Sequence, residues 1–229
     1  MAGAVAMRLP IVGGRLRGRW WLPASRGKIL RILGGSYEPE QTRLFEEHVR
    51  PGATVLDVGA HVGYYTVLSA VLAGERGAVW AFEPNPVNAA FLRRHAEINR
   101  LRNVRVTEAA VSDANGTARF GFGGGSGTGH LTDEGTVEVR TVRLDDFCAE
   151  HGIAPSAIKI DVEGAEGAVL EGARGTLARH RPVLFLSTHG AEVHRACLAF
   201  LKGAGYACRP ILGDDVRSTS ELLCTPAAR

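Results

Sequence analysis

The chain has 229 residues, 45% hydrophobic and 22% charged, which suits one buried α/β core and excludes wholesale disorder or a fibrous chain. No run reaches the ~18 uncharged apolar residues of a spanning helix, and residues 1–9 are too short and interrupted for a signal peptide. A cytoplasmic protein is expected, and a net charge of +3 is too small to imply nucleic-acid binding.

Charge is unevenly spread. Residues 1–37 hold seven bases (Arg8, Arg15, Arg17, Arg19, Arg26, Lys28, Arg31) and no acids, which leaves the rest net acidic by four. Residues 1–50 therefore read as a basic extension with a cap helix, and residues 51–229 as the main domain. Trp20-Trp21, flanked by Arg17 and Arg19, are expected to cover a sheet edge or form a homodimer contact rather than stack on bases or meet a membrane. Pro39 opens a short helix that Pro51-Gly52 stops.

Beyond it, strands and helices alternate. Strands are predicted at 54–58, 78–82, 104–107, 157–162 and 183–186, and helices at 62–73, 87–99, 166–180 and 193–203. Residues 206–212 and 222–225 close as an antiparallel pair. Between 117–122 and 137–142 lies a run from Gly121 to Gly129 with six glycines, read as a β-hairpin insertion with a mobile loop. The order predicts right-handed crossovers and a mostly parallel sheet, with ligands beyond the carboxyl ends of its strands. Cys148, Cys197, Cys208 and Cys224 form no CxxC pair, so each is expected to be a small buried hydrophobe.

The first strand runs into Asp57-Val58-Gly59-Ala60-His61-Val62-Gly63. Gly59 and Gly63 allow close backbone approach to a ligand. Asp57 takes the place of the first glycine of a dinucleotide turn. A carboxylate there repels a pyrophosphate but suits S-adenosylmethionine, which carries an ammonium and a sulfonium. The alternative is a buried Asp that only ties down the turn. Glu83 ends the second strand, 20 residues past Gly63, where a carboxylate can accept from both ribose hydroxyls. It could also simply cap the next helix. Ser112 or Asp113 is placed for the adenine edge, though Asp113-Ala114-Asn115-Gly116 has turn composition.

Ile158-Lys159-Ile160-Asp161-Val162-Glu163-Gly164-Ala165-Glu166 sets three carboxylates at one strand end. Asp161 points to the reacting centre and Glu163 to substrate, whereas Glu166 reads as a structural first-turn acid. The fifth strand ends in Ser187-Thr188-His189, and His189 is a candidate base. Asp161, Glu163 and His189 could ligate a divalent cation, but no spacing demands a metal.

Together Gly35-Ser36-Tyr37-Glu38-Pro39, VLDVGAHVGYYT from Val55, FEPNP from Phe82, AVSD from Ala110 and IKIDVEGAEGAVLEGA from Ile158 resemble the FkbM family of S-adenosylmethionine-dependent methyltransferases. The resemblance implies a class I methyltransferase (Rossmann-like) fold, a seven-stranded sheet with one antiparallel strand. It also implies methyl transfer to a hydroxyl of a small molecule or sugar. The cofactor set is then Asp57, Gly59, Ala60, His61, Gly63, Tyr65, Glu83, Pro84, Ser112 and Asp161, and the catalytic set Asp161, Glu163 and His189. Two positions depart from the family: His61 replaces a common Asn, and Ser187 an acid. Residues 120–130 are expected to close over substrate. RNA methylation, nicotinamide chemistry and a non-catalytic binding module are the rival readings; Asp57 and the missing GxGxxG oppose the second.

Overall fold

The computed structural model describes residues 7–24, 26–122, 129–131 and 135–227. Its elements in order are β1 (Leu9–Pro10), β2 (Trp20–Trp21), α1 (Ile29–Gly34), α2 (Pro39–His48), β3 (Thr54–Val58), α3 (Tyr64–Ala73), β4 (Ala78–Phe82), α4 (Pro86–Ile98) and β5 (Val104–Thr107). There follow β6 (Ala110–Val111), β7 (Gly116–Phe122), β8 (Gly129–Leu131), β9 (Val137–Val142), α5 (Leu144–His151), β10 (Ala157–Ile160), α6 (Glu166–Gly172) and α7 (Arg174–His180). The chain closes with β11 (Val183–Ser187), α8 (Ala191–Gly203), β12 (Tyr206–Pro210) and β13 (Glu221–Pro226). No described helix is long and apolar enough to cross a membrane.

The main sheet has seven strands in the order β12-β13-β11-β10-β3-β4-β5, with β13 antiparallel to both neighbours. Alternation along β3 and β10 sorts side chains to two faces. Leu56, Val58, Ile158 and Ile160 pack with Leu144, Leu170 and Leu186 on one face. Val55 and Ala157 pack with Leu68, Phe45 and Phe185 on the other. Asp57 and Lys159 are partners in register on that second face.

Several predicted boundaries move. The turn after β3 consumes residues 59–63, so α3 starts at Tyr64. The fourth parallel strand stops at Ile160. The predicted helix over 166–180 is two helices broken at Ala173 (φ −107°, ψ 3°). The break is capped from outside: the Asp145 carboxylate accepts from Gly175 N (2.8 Å) and Thr176 N (2.7 Å), and so supplies partners for a helix start. The insertion is a four-stranded sheet, β6-β9-β7-β8, rather than a bare hairpin. Residues 123–128 of the predicted loop lie outside the described residues.

One expectation about the cysteines is overturned. Cys208 and Cys224 face each other in register across β12 and β13 and form a disulfide. Sequence separation hides this neighbour relation, which only the strand pairing creates. Cys148 and Cys197 are buried free thiols, as expected.

The N-terminal segment is fastened at two places. Near its start, a Cβ on Gly13 would lie 2.1 Å from the Gly34 carbonyl oxygen, and one on Gly35 2.1 Å from the Gly13 carbonyl carbon. Two backbones thus touch directly. Further on, Trp21 is fully buried and stacks on His95 of α4, ring centroids 3.7 Å apart. Its ring also meets Tyr64 of α3 edge-on, with centroids 6.4 Å apart. Leu22 N donates to His95 Nε2 (3.0 Å), so Nδ1 carries the proton and donates to the Val62 carbonyl (2.8 Å).

Burial lowers the His95 pKa from 6.5 to about 4 and keeps the ring neutral. The unfolded chain binds that proton below pH 6.5 and the folded chain does not, so this contribution to stability fades as pH falls toward 4. The stability advantage of wild type over His95→Gln should therefore shrink between pH 7 and 5 in urea titrations, by about 2 kcal/mol at most. An advantage constant with pH would contradict a neutral buried ring.

Candidate active site

A cavity of about 470 Å³ opens above the carboxyl ends of β3, β4 and β10. Its wall contains Asp57, Gly59, Ala60, His61, Tyr65, Glu83, Pro84, Asp161 and Glu163 from the expected set. Lys28, Tyr37, Glu38 and Lys159 line it as well. Phe120 of β7 contributes from the insertion, so the insertion does border the cavity.

The turn after β3 is left-handed at Gly59 (φ 78°), His61 (φ 52°) and Gly63 (φ 95°). A Cβ on Gly59 would lie 1.8 Å from the Asp161 carbonyl oxygen. A close approach to the next strand end thus requires glycine there, and Gly59 lines the cavity as well. Gly63 is closed off by Leu92 and is not part of the cavity wall. His61 replaces Asn at a left-handed position where His and Asn are both enriched. Burial lowers its pKa to about 4, so it presents a neutral ring.

Asp57 is 1% exposed. Its Oδ2 accepts from the Thr66 hydroxyl, while Oδ1 has no partner among the described residues. Burial pushes its pKa up, and Lys159 and Thr66 pull it back. Glu83 is also buried; Oε2 accepts from His61 N (2.7 Å) and Oε1 from Asn85 N (3.0 Å). A carboxylate has about four lone-pair sites, so acceptor capacity remains. Glu83 thus ties the turn to the next helix start, one of the two alternatives the sequence offered, and it also lines the cavity.

Lys159 escaped sequence reasoning. It is 4% exposed, with Nζ 3.1 Å from Asp161 Oδ2 and 5.2 Å from the Tyr65 ring. Burial opposes its charge, but Asp161 and Asp57 outweigh it and hold the ammonium above its ordinary pKa. A lysine inside the apolar run Ala-Ile-Lys-Ile was the available signal. Burial works against the Asp161 charge too, and Lys159 nevertheless brings that carboxyl below its ordinary value.

His189 stands behind Asp161 and Glu163, outside the cavity wall proper. Nδ1 meets Glu166 Oε1 at 2.8 Å; Nε2 lies 3.4 Å from Glu163 Oε2 and 3.8 Å from Asp161 Oδ1. Glu166 is fully buried, and its Oε1 also accepts from Gly164 N (3.0 Å). It is thus the residue that orients His189, a role the sequence reading as a helix-start acid missed. The hydrogen bond to Glu166, with the nearby Glu163 and Asp161 charges, raises the His189 pKa to about 9.

Asp161, Glu163 and His189 each offer a ligand atom within 4.8 Å of the others, a donor set compatible with a divalent cation. Ser112 does not line the cavity, and its hydroxyl donates to Asp113 (3.1 Å). Ala109, Ala110 and Val111 form that part of the wall instead. Ser187, where an acid was expected, donates to Glu221 Oε2 across the strand pair (2.7 Å), so a carboxylate stands beside that place after all.

A glycine turn, an acid after the next strand and a seven-stranded sheet with a single reversed strand define the class I methyltransferase fold. Residues 57–208 match the Methyltransferase FkbM domain, and the chain belongs to that family. The 31-O-demethyl-FK506 methyltransferase FkbM of Streptomyces tacrolimicus is 34% identical over 200 residues, covering 69% of this chain and 74% of the relative. The 2-O-methyltransferase NoeI of Sinorhizobium fredii is 31% identical over 153 residues, covering 58% of this chain and 62% of the relative. The crystal structure of methyltransferase FkbM from Methylobacillus flagellatus shares the fold, with a TM-score of 0.56 and 18% identity, over 86% of this chain and 52% of that one.

Proposed function

We propose that this methyltransferase uses S-adenosylmethionine to methylate a hydroxyl oxygen of a small molecule or sugar. The buried Asp57 Oδ1 in the cavity wall, without a partner among the described residues, carries the reading. A buried anionic oxygen without a donor suits a cationic ligand and opposes a pyrophosphate. Glu83 at the end of β4 fits the ribose. The matched relatives' names, a 31-O-demethyl-FK506 methyltransferase and a 2-O-methyltransferase, support oxygen as the acceptor atom.

When bound, this cofactor supplies a methyl group on a cationic sulfur, already an activated leaving group. The chain's task is alignment and proton removal. Positioning alone can contribute about 7–11 kcal/mol in the best cases. Glu163, at the cavity wall, orients the acceptor hydroxyl. The acceptor oxygen would take the methyl group as the carbon–sulfur bond breaks and S-adenosylhomocysteine leaves, and His189 Nε2 or Asp161 would take the proton that oxygen loses. Glu166 holds the Nδ1 proton of His189, so Nε2 is the nitrogen turned toward Glu163 and Asp161.

Titration calorimetry should show saturable binding of S-adenosylmethionine and S-adenosylhomocysteine and none of NAD. Asp57→Asn removes the charge and should weaken both nucleosides about tenfold or more. NAD binding without nucleoside binding would overturn the reading. Transfer of labelled methyl to a panel of hydroxylated acceptors would then identify the substrate class.

A further inference from the structure

One acid in the cavity wall has no role in the reading above. Glu38 immediately precedes Pro39 yet sits in the left-handed region (φ 44°, ψ 62°), a conformation disfavoured for a non-glycine residue and again by the following proline. Its carboxylate is held there from within the cavity. The Tyr65 hydroxyl donates to Glu38 Oε2 at 2.6 Å. Tyr65 is buried in α3, directly after the glycine turn, and Lys159 Nζ lies against its ring.

Glu83 ends β4, Asp57 lies on β3 and Lys159 on β10, and these strands are adjacent in that order. A nucleoside with its base against Ala109–Val111 and its sugar at Glu83 carries its 5′ substituent across the end of β3 toward β10. Glu38 and Tyr65 stand on that side. Glu38, Asp57 and Asp161 place three carboxylates in this part of the wall against one buried cation, Lys159; Lys28 is exposed at the rim. The buried Asp57 Oδ1 has no partner among the described residues, so this part of the wall lacks a donor for it.

We propose that Glu38, fixed by the Tyr65 hydroxyl, binds the α-ammonium of the cofactor's amino-acid tail. This rests on the S-adenosylmethionine reading and adds a residue from the N-terminal side of the fold to the binding site. The same group is present in S-adenosylhomocysteine and absent from 5′-methylthioadenosine, which keeps the sugar and base.

Calorimetry on the full chain separates the cases. Glu38→Gln should weaken S-adenosylhomocysteine about tenfold or more and leave 5′-methylthioadenosine within about twofold of wild type. Equal weakening of both ligands, or no weakening of either, would overturn the assignment while leaving the cofactor reading intact. If wild type binds neither nucleoside, both fall. Should Glu38→Gln not fold, Glu38→Asp keeps the charge but shortens its reach, and the same selective loss is expected. Tyr65→Phe should weaken S-adenosylhomocysteine less than Glu38→Gln does, because the carboxylate remains but loses its anchor; a larger loss would place the essential contact on Tyr65.

Discussion

Replacing His189 with asparagine should lower turnover by about 10²–10⁴-fold and leave S-adenosylhomocysteine binding near wild type. Asparagine keeps a donor for the buried Glu166 carboxylate, so the substitution removes the base without stranding its partner. The pH profile is the sharper test. His189 is held protonated to about pH 9 by Glu166 and its acidic neighbours. A base must be unprotonated, so below pH 9 its active fraction falls about tenfold per unit. Log kcat should climb with unit slope through neutral pH and level off near 9. Glu166→Gln removes the strongest support for the imidazolium, so the break should move to lower pH. A profile already flat from pH 6 to 9 in wild type would exclude His189 and leave Asp161 as the proton acceptor.

Trp21→Ala is expected to have the largest effect on stability, about 3–5 kcal/mol in urea unfolding. The side chain is fully buried, and its loss removes the ring stacked on His95 and opens a cavity between the N-terminal segment and α4. For a chain of this size that corresponds to a fall in Tm of roughly 6–20 °C. A loss below about 1 kcal/mol would mean that the segment detaches at little cost. Trp20 is the control: it is partly exposed and lies beneath Arg8, so its truncation should matter far less.

The sheet was legible because its strands are short apolar runs separated by helices with one apolar side. The Asp57 turn and Glu83 were legible because both sit at strand ends with fixed spacing. What escaped depends on neighbours that the sequence sets far apart. Lys159 gains its meaning only from standing in register with Asp57. Glu166 reads as a helix-start acid until β11 brings His189 to it. The break between α6 and α7 depends on Asp145, 30 residues before Gly175. The Cys208–Cys224 bond depends on a strand pairing whose partners were predicted but whose register was not. Ser112 differs in kind: its loop borders the cavity through Ala109, Ala110 and Val111, while its own hydroxyl turns to Asp113.

The N-terminal segment touches both sides of the cavity. Through Gly13 and Gly35 it abuts the backbone that leads to Tyr37 and Glu38. Through Trp21 and His95 it reaches the Val62 carbonyl in the glycine turn. Loosening this segment is therefore expected to weaken uptake of the nucleoside, and by reciprocity uptake should tighten its docking. Any partner or modification that loosens the segment would act as a remote inhibitor, and a saturated cavity would in turn guard the segment against proteolysis.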